Sequence, residues 1–570
     1  MAPDAVLLAG WRARVERARA HLGWRGPGVA ARRHAGGVSL ALAAPADQLF
    51  VATEVNEWAL CATLAAADPA RTGALEAALL AELLEDAAAG AQVIPPVLEE
   101  GAALTRLAVL AAREARPDLM ALLGAAAARA LPQVLDEDTL TLGAGSGGSN
   151  FSLAALPPPG AVPWSELHDV PTAIVTGSNG KTTTVRLLAA CARAHGWPSA
   201  FCCTDGVFFD GIARASGDYS GPEGARRVMR ERLARAAIIE TARGGILRRG
   251  LAISRARVAV VTNVSADHFG EYGIDDLAAL ADVKLTVAGV LSAEGLLVLN
   301  ADDAQLVATS ATLAQRFGRA PPLGWFALDA DHPRLRAHRV GGGPTCGVRD
   351  GRLLLQHHGH EADLGVVNAL PLTVDGSATY NIANLAGAAL AAAGLGIPPD
   401  VIAGVFARFG ANLSDNLGRL MRFERDGVCI LVDYAHNPDG MRGLLTVAEH
   451  LRRPGGRLGT LLGQAGNRRD SEVEALAGVV AGFHPELVVV KEDEAHLRGR
   501  DPGEVPRLIH AALRRAGLPD AALPMRKSEL EAVDCALEWA RPGDVLALPV
   551  HSSAARAAVL ALLSAAGAAS

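Results

Sequence analysis

Seven consecutive residues carry the clearest chemistry in this chain: Gly177, Ser178, Asn179, Gly180, Lys181, Thr182 and Thr183. An apolar, β-favouring run at 172–175 precedes them, and apolar side chains at helical spacing follow through Leu188. Strand, glycine loop and helix in this order cradle phosphate. The glycines let backbone N–H groups face an anion, and the helix N-terminus adds partial positive charge. Lys181 can reach β- and γ-phosphates, and Thr182 or Thr183 can offer a hydroxyl to Mg²⁺. This is the shorter GxxGKTT spacing, because Val175 stands where GxxxxGK[ST] has its first glycine.

Other polar groups stand just past apolar runs. Residues 236–239 lead into Glu240, with Arg243 and Arg248 beyond, and residues 258–261 lead into Asp267 and His268. Helical patterns separate these runs, so the sheet is expected to be largely parallel, with ligands beyond the carboxyl ends of its strands. Lys181, Glu240 and His268 are therefore expected around one crevice. Mg²⁺ on a triphosphate takes one or two protein oxygens. Glu240 suits that role with the Thr183 hydroxyl, and His268 suits a second metal ion. The plainer readings are a solvated strand-end carboxylate for Glu240, a turn or N-cap histidine for His268, and a surface lysine for Lys284. Asn381 and Asn384 lie three apart at the start of an alanine-rich helix, so both amides can meet one ligand; capping by Asn381 is the alternative.

These side chains need a three-domain α/β scaffold. Residues 1–165 read as a helix-rich, mixed α+β domain with helical periodicity at 73–90, 99–115 and 117–131. Strands are expected within 38–52, and a helix beginning at Thr53 as its N-cap. The glycine cluster at 143–150, with prolines at 157–159, reads as loop or linker. Residues 166–410 read as a central P-loop-type ATPase domain on a mostly parallel sheet. Within it, His357, His358 and His360 fall in a hairpin without matching metal-ligand spacing. Residues 411–570 read as a Rossmann-like α/β domain whose strand ends carry Asp433, His436 and Arg468, with Arg498 in a later loop.

The chain has 570 residues, 50% hydrophobic and 20% charged, enough for real cores in three domains. Net charge is −7, with no basic run of the kind that binds nucleic acid. No apolar stretch reaches a membrane span, and the opening residues lack a secretory pattern. Seven scattered cysteines point to a reducing, cytoplasmic setting.

Together, 177–183, Thr262-Asn263 with Asp267-His268, Asn381 with Asn384, and Asp433-Tyr-Ala-His-Asn-Pro438 resemble the Mur ligase superfamily. That superfamily includes the muramyl peptide ligases and folylpolyglutamate synthetase. More narrowly, Glu240-Thr-Ala-Arg-Gly-Gly with Arg248, Leu299-Asn-Ala-Asp-Asp303, Asn467-Arg-Arg-Asp470 and Leu497-Arg-Gly-Arg500 resemble the Mur-ligase half of cyanophycin synthetase. The resemblance covers about 165–570. Cyanophycin synthetase carries an ATP-grasp domain before that half, and none is expected in the residues ahead of this phosphate loop. Tyr380 stands where muramyl ligases often have histidine.

The resemblance implies an ATP- and Mg²⁺-dependent ligase. It joins an amino acid, a basic one by analogy, to an acidic peptide or polymer acceptor through an acyl phosphate. By analogy Thr183 and Glu240 hold one Mg²⁺ and His268 a second. Lys284 occupies the place of a carbamylated lysine. Asn384 contacts adenine, Arg419 a phosphate and Asp433 the ribose hydroxyls. Arg243, Arg248, Arg468 and Arg498, with His436, are the candidates for holding substrate. The alternative is a partner-dependent or non-catalytic nucleotide-binding subunit working beside a separate ATP-grasp protein. A homo-oligomer is compatible with either.

Overall fold

The computed structural model describes residues 3–26, 28–34, 37–86, 96–266, 269–492 and 496–567. Among them no helix is long and apolar enough to cross a membrane.

The central sheet has eleven strands. Its middle is Thr172–Thr176, flanked by Ala236–Glu240 and Ala256–Val261, with Ser199–Cys203, Leu291–Asn300, Leu323–Asp329 and Thr345–Arg349 continuing outward in parallel. Antiparallel hairpins finish both edges: Gly206–Phe209 with Ile212–Ser216 on one side, Arg352–His357 with His360–Val366 on the other. The hairpin expected at His357–His360 is thus present.

Thr172–Thr176, Ser199–Cys203 and Ala236–Glu240 are buried along their whole length. Such strands belong to a parallel sheet covered on both faces. One face packs on the helices Lys181–Ala194 and Thr379–Leu395. The other packs on Pro222–Met229 and Leu277–Lys284.

The third domain is a six-stranded sheet in the order Met421–Arg425, Val428–Asp433, Val545–Pro549, Leu458–Leu462, Leu487–Lys491, Met525–Arg526. It is parallel except for its first pair. Helices again cover both faces.

The first domain has its own core around Trp11, Trp58 and Leu107. Its helices include Leu49–Ala67, Thr72–Asp86, Glu100–Glu114 and Pro117–Ala127. The expected helix start at Thr53 is wrong. The helix begins four residues earlier, after Gln48, and Thr53 donates back to Leu49 O in its first turns. The apolar run at 38–52 therefore splits between the strand Gly37–Leu42 and that helix. Residues 87–90 of the expected second helix lie outside the described residues.

The glycine cluster at 143–150 is a tight packing element. It runs from the end of the strand Thr139–Leu142 into the strand Ser149–Ser152, and a Cβ on Gly147 would fall 2.5 Å from His168. Ser146 N also donates to Ala234 O at 2.7 Å, so this segment is seated on the central domain.

Candidate functional site

Sheet register sends the phosphate loop and its neighbours out at one edge. Val175 pairs with Glu240, and Thr176 with Val261, so Gly177, Thr241 and Thr262 leave the sheet side by side. Gly177 has φ +150°, and a Cβ there would lie 1.8 Å from Thr262 Oγ1. Gly180 has φ +84°, and a Cβ there would lie 2.1 Å from Asn384 Oδ1. Both positions need glycine for steric reasons.

Thr262 and Asn263 brace the loop. Thr262 Oγ1 and Asn263 Nδ2 donate to Asn179 O at 2.6 and 3.1 Å, and Asn179 N donates to Asn263 Oδ1 at 2.9 Å. Ser178 N reaches Asn263 O at 2.9 Å. Lys181 Nζ is held by Gly177 O at 3.1 Å and Ser178 O at 2.9 Å.

Glu240 is fully buried, at 0% exposure. Thr182 Oγ1 donates to its Oε2 at 2.8 Å, while Oε1 has no hydrogen-bond partner. Burial raises its carboxyl above the usual range, against the opposing pull of Lys181 and the Thr182 bond. The Thr183 hydroxyl instead accepts from Asn416 Nδ2 at 3.2 Å. Of the two hydroxyls the sequence offers, Thr182 is the one beside the carboxylate. An orphaned carboxylate oxygen and an adjacent hydroxyl suit a hard divalent cation, which takes few protein oxygens and fills its shell with phosphate and water. His268 lies outside the described residues.

The phosphate loop, Glu240 and Asn263 line one cleft of about 1540 Å³ between the central and third domains. Lys284 lines it too and is only 3% exposed. The pattern-based reading of a surface lysine fails because Leu280, Ala281 and Val283 pack the short helix into the core and carry Lys284 inward. Asn381 and Asn384 are both buried, and Asn384 Nδ2 donates to Asn381 Oδ1 at 3.1 Å. Asn381 does not cap the helix; its own amide donates to Leu372 O at 3.0 Å.

The third domain supplies the facing wall. Arg419 Nη2 donates to Thr204 Oγ1 at 3.0 Å and to Thr182 Oγ1 at 3.4 Å, and its guanidinium lies 4.6 Å from the Tyr434 ring. Asp433 Oδ2 accepts from Leu420 N at 2.6 Å; burial raises this carboxyl, opposed by Arg419. His436 Nδ1 donates to Tyr434 O at 3.1 Å. Asn179 and Asn437 exchange side-chain hydrogen bonds of 3.2 and 2.9 Å, tying the loop to the third domain.

At the far end, Tyr272 lies 5.9 Å from the Arg243 guanidinium and 5.8 Å from that of Arg248. Arg243 pairs with Glu271, which also accepts from Asn467. Arg469 pairs with Asp275 at 2.9 Å. Arg32 of the first domain donates to Gly273 O at 3.2 Å and to Tyr272 O. Residues 269–275 are thus held from three domains. Arg243, Arg248, His436 and Arg498 line the cleft; Arg468 is buried but is not among its lining residues.

Several participants escaped the sequence. Asp205, Glu271, Tyr272 and Arg556 line the cleft, yet none belongs to a motif that points to chemistry. Asp205 follows a strand end, a signal it shares with many residues; Arg556 sits in an alanine-rich helix and offers none.

A glycine loop braced at the carboxyl ends of a parallel sheet and facing arginines of a second, mostly parallel α/β domain defines a phosphate-loop α/β protein whose cleft is built by two of its domains. Residues 175–320 match the Mur ligase middle domain, and residues 418–548 match the Mur ligase glutamate ligase domain. A cyanophycin synthetase of Synechocystis sp. is 33% identical over 369 residues, which cover 65% of this chain and 41% of that protein. A UDP-N-acetylmuramoyl-L-alanyl-D-glutamate–2,6-diaminopimelate ligase of Xanthomonas campestris is 30% identical, covering 65% of this chain and 70% of that one. The folylpolyglutamate synthase of Mycobacterium tuberculosis complexed with ADP shares the fold, with a TM-score of 0.51 at 18% identity, covering 69% of this chain and 90% of that chain. The chain belongs to the Mur ligase family. It spans about two fifths of the length of the cyanophycin synthetases it matches.

Proposed function

We propose that this protein is an ATP-dependent ligase that forms an amide bond between an amino acid and an acidic acceptor carboxylate. The observation that carries this reading is the unpaired Oε1 of Glu240, buried beside Thr182 and Lys181 at the mouth of the phosphate loop. Its relatives support the class of reaction, being named as a synthetase and a ligase.

Mg²⁺ would be held by Glu240 and a phosphate-loop hydroxyl, and when bound it offsets phosphate charge. Lys181 leaves its loop carbonyls for the terminal phosphates, and Arg419 approaches from the third domain. Asn384 would meet the adenine and Asp433 the ribose hydroxyls.

An acceptor carboxylate oxygen attacks the γ-phosphorus, ADP departs, and an acyl phosphate forms. The amine nitrogen then attacks the acyl carbon, loses a proton and expels phosphate, leaving the amide. Arg243, Arg248 and Arg498 line the cleft and could orient an acidic acceptor by paired hydrogen bonds. Lys284 lies within the same cleft, in the place its family gives to a carbamylated lysine.

The test is a screen for ADP release by the purified full chain with Mg-ATP. Single amino acids, arginine and lysine first, are paired with acidic acceptors including aspartate-rich peptides. Release that needs both partners, with a product mass equal to their sum less one water, supports the reading. Nucleotide binding without release under any pairing contradicts a self-sufficient ligase and favours the partner-dependent subunit.

A further inference from the structure

Asp205 follows the strand Ser199–Cys203 and lines the cleft. Three guanidiniums converge on it. Arg186 Nη2 donates to Oδ2 at 2.8 Å, Arg556 Nη2 donates to Oδ1 at 2.6 Å, and Arg419 Nη2 lies 3.8 Å from Oδ2. Asp205 is the carboxylate within 4 Å of all three, so Arg556 shares its ion-pair partner with two like charges, and an under-compensated charge in a partly buried setting is costly.

Arg186 is otherwise occupied. It also donates to Leu417 O at 2.7 Å and to Asn416 Oδ1 at 3.4 Å, and it lies outside the cleft lining. Arg419 and Arg556 both line the cleft. Tyr434 sits between them, its ring 4.6 Å from one guanidinium and 5.5 Å from the other. Among nearby carboxylates, Asp218 accepts from the Ser220 amide and hydroxyl and Asp433 from the Leu420 amide. Asp433 and buried Glu240 feel the charge of Arg419, whereas the carboxylate that supports the charge of Arg556 is Asp205.

Arg556 is placed with care. It is 7% exposed and projects from the helix Ser553–Gly567. Glu529 fixes the approach to that helix by accepting from the amides of His551 and Ser552 at 2.8 Å each, and is itself paired with the buried Lys491. Gly418, at φ +72°, makes room for the stem: a Cβ there would fall 2.8 Å from Arg556 Cδ. Burial pulls the Arg556 pKa down, which the Asp205 charge opposes.

We propose that Arg556, near the end of the chain, is a second phosphate-binding arginine, held over the loop by Asp205 and Tyr434 until the nucleotide supplies the missing negative charge. This rests on the nucleotide reading above and adds a ligand residue to it. Because Asp205 belongs to the central domain and Arg556 to the third, the same ion pair sets the two cleft walls before binding, which lowers the ordering cost of the phosphate contacts.

The test is calorimetric titration of the full chain with ADP, alongside adenosine binding followed by NMR, for wild type, Arg556→Gln and Arg556→Lys. Arg556→Gln is expected to weaken ADP by about tenfold or more while leaving adenosine affinity within about twofold. Arg556→Lys keeps the charge and the Asp205 pair and should recover part of the loss; should the Gln variant not fold, this variant carries the test on the same comparison. ADP binding equal to wild type in the variants overturns the proposal. So does an equal loss for ADP and adenosine, since that marks a distorted cleft. A wild-type protein that binds no ADP removes the nucleotide reading itself, and this one with it.

Discussion

Thr182 Oγ1 donates to Glu240 Oε2 at 2.8 Å, and the other oxygen of that buried carboxylate is left without a partner. A hydrogen-bonded, half-satisfied carboxylate beside a phosphate loop is built to receive something. Glu240→Gln keeps the shape and removes the charge. Turnover should fall about a hundredfold or more, and titration with Mg²⁺ should not restore it. The apo variant should melt no lower than wild type, because a buried charge has been removed. Wild-type turnover across the same titration would contradict the metal assignment.

Two glycines isolate a steric requirement. Gly180 and Gly196 have nearly the same backbone, φ +84° and +83°, but a Cβ meets Asn384 at the first and open space at the second. Gly196→Ala should cost about 1 kcal/mol, the left-handed penalty alone. Gly180→Ala should cost about 2–4 kcal/mol, because the packed Asn384 must also move. Urea denaturation of both variants measures the difference; equal losses would mean that the Asn384 contact does not matter.

Arg32 reaches from the first domain to the carbonyls of Tyr272 and Gly273. Tyr272 adopts φ +52°, unusual for a bulky residue and sustained by its surroundings. Removing Arg32 should loosen this loop without touching the phosphate loop. In Arg32→Ala, hydrogen exchange of the Gly270 and Ile274 amides should rise about tenfold, while that of 181–194 stays unchanged. Unaltered exchange at 270–274 would show that the first domain does not hold the loop.

Asp169 gives a pH dependence. Burial raises its carboxyl from 3.8 to about 6, with Arg255 opposing at 3.5 Å. Its folded pKa lies above the unfolded one, so its contribution to stability is fully present below about pH 4 and is lost as pH rises through 6. Asp169→Asn should therefore stabilise the protein, by about 1 kcal/mol more at pH 8 than at pH 5. Denaturation midpoints at the two values measure this; a gain that shrinks at the higher pH would contradict the assignment.

The phosphate loop was legible because its signal is local: apolar strand, glycines, lysine and helix lie within eighteen residues. The strand-end rule placed Lys181 and Glu240 around one crevice, and both line the same cleft, whereas Asp433 was joined to them by the resemblance alone. Juxtaposition was not legible. Asp205 and Arg556 are 351 residues apart, and no spacing links them. The choice between Thr182 and Thr183 depends on which hydroxyl the first helical turn directs at Glu240, and Asn416, more than two hundred residues away, takes the other. Lys284 misled because its helix is short and its pattern weak, whereas burial is set by what packs above it. Thr53 misled because a β-branched residue with a hydroxyl resembles a cap even inside a helix.

In the proposed reaction an acceptor carboxylate is phosphorylated and then captured by an amine. The most direct measurement uses an acceptor carrying ¹⁸O in its carboxylate, incubated with Mg-ATP and the amine that together support ADP release. One ¹⁸O is expected in each phosphate released, in step with amide formed. Phosphate that carries oxygen only from water or ATP, while amide accumulates, would contradict it.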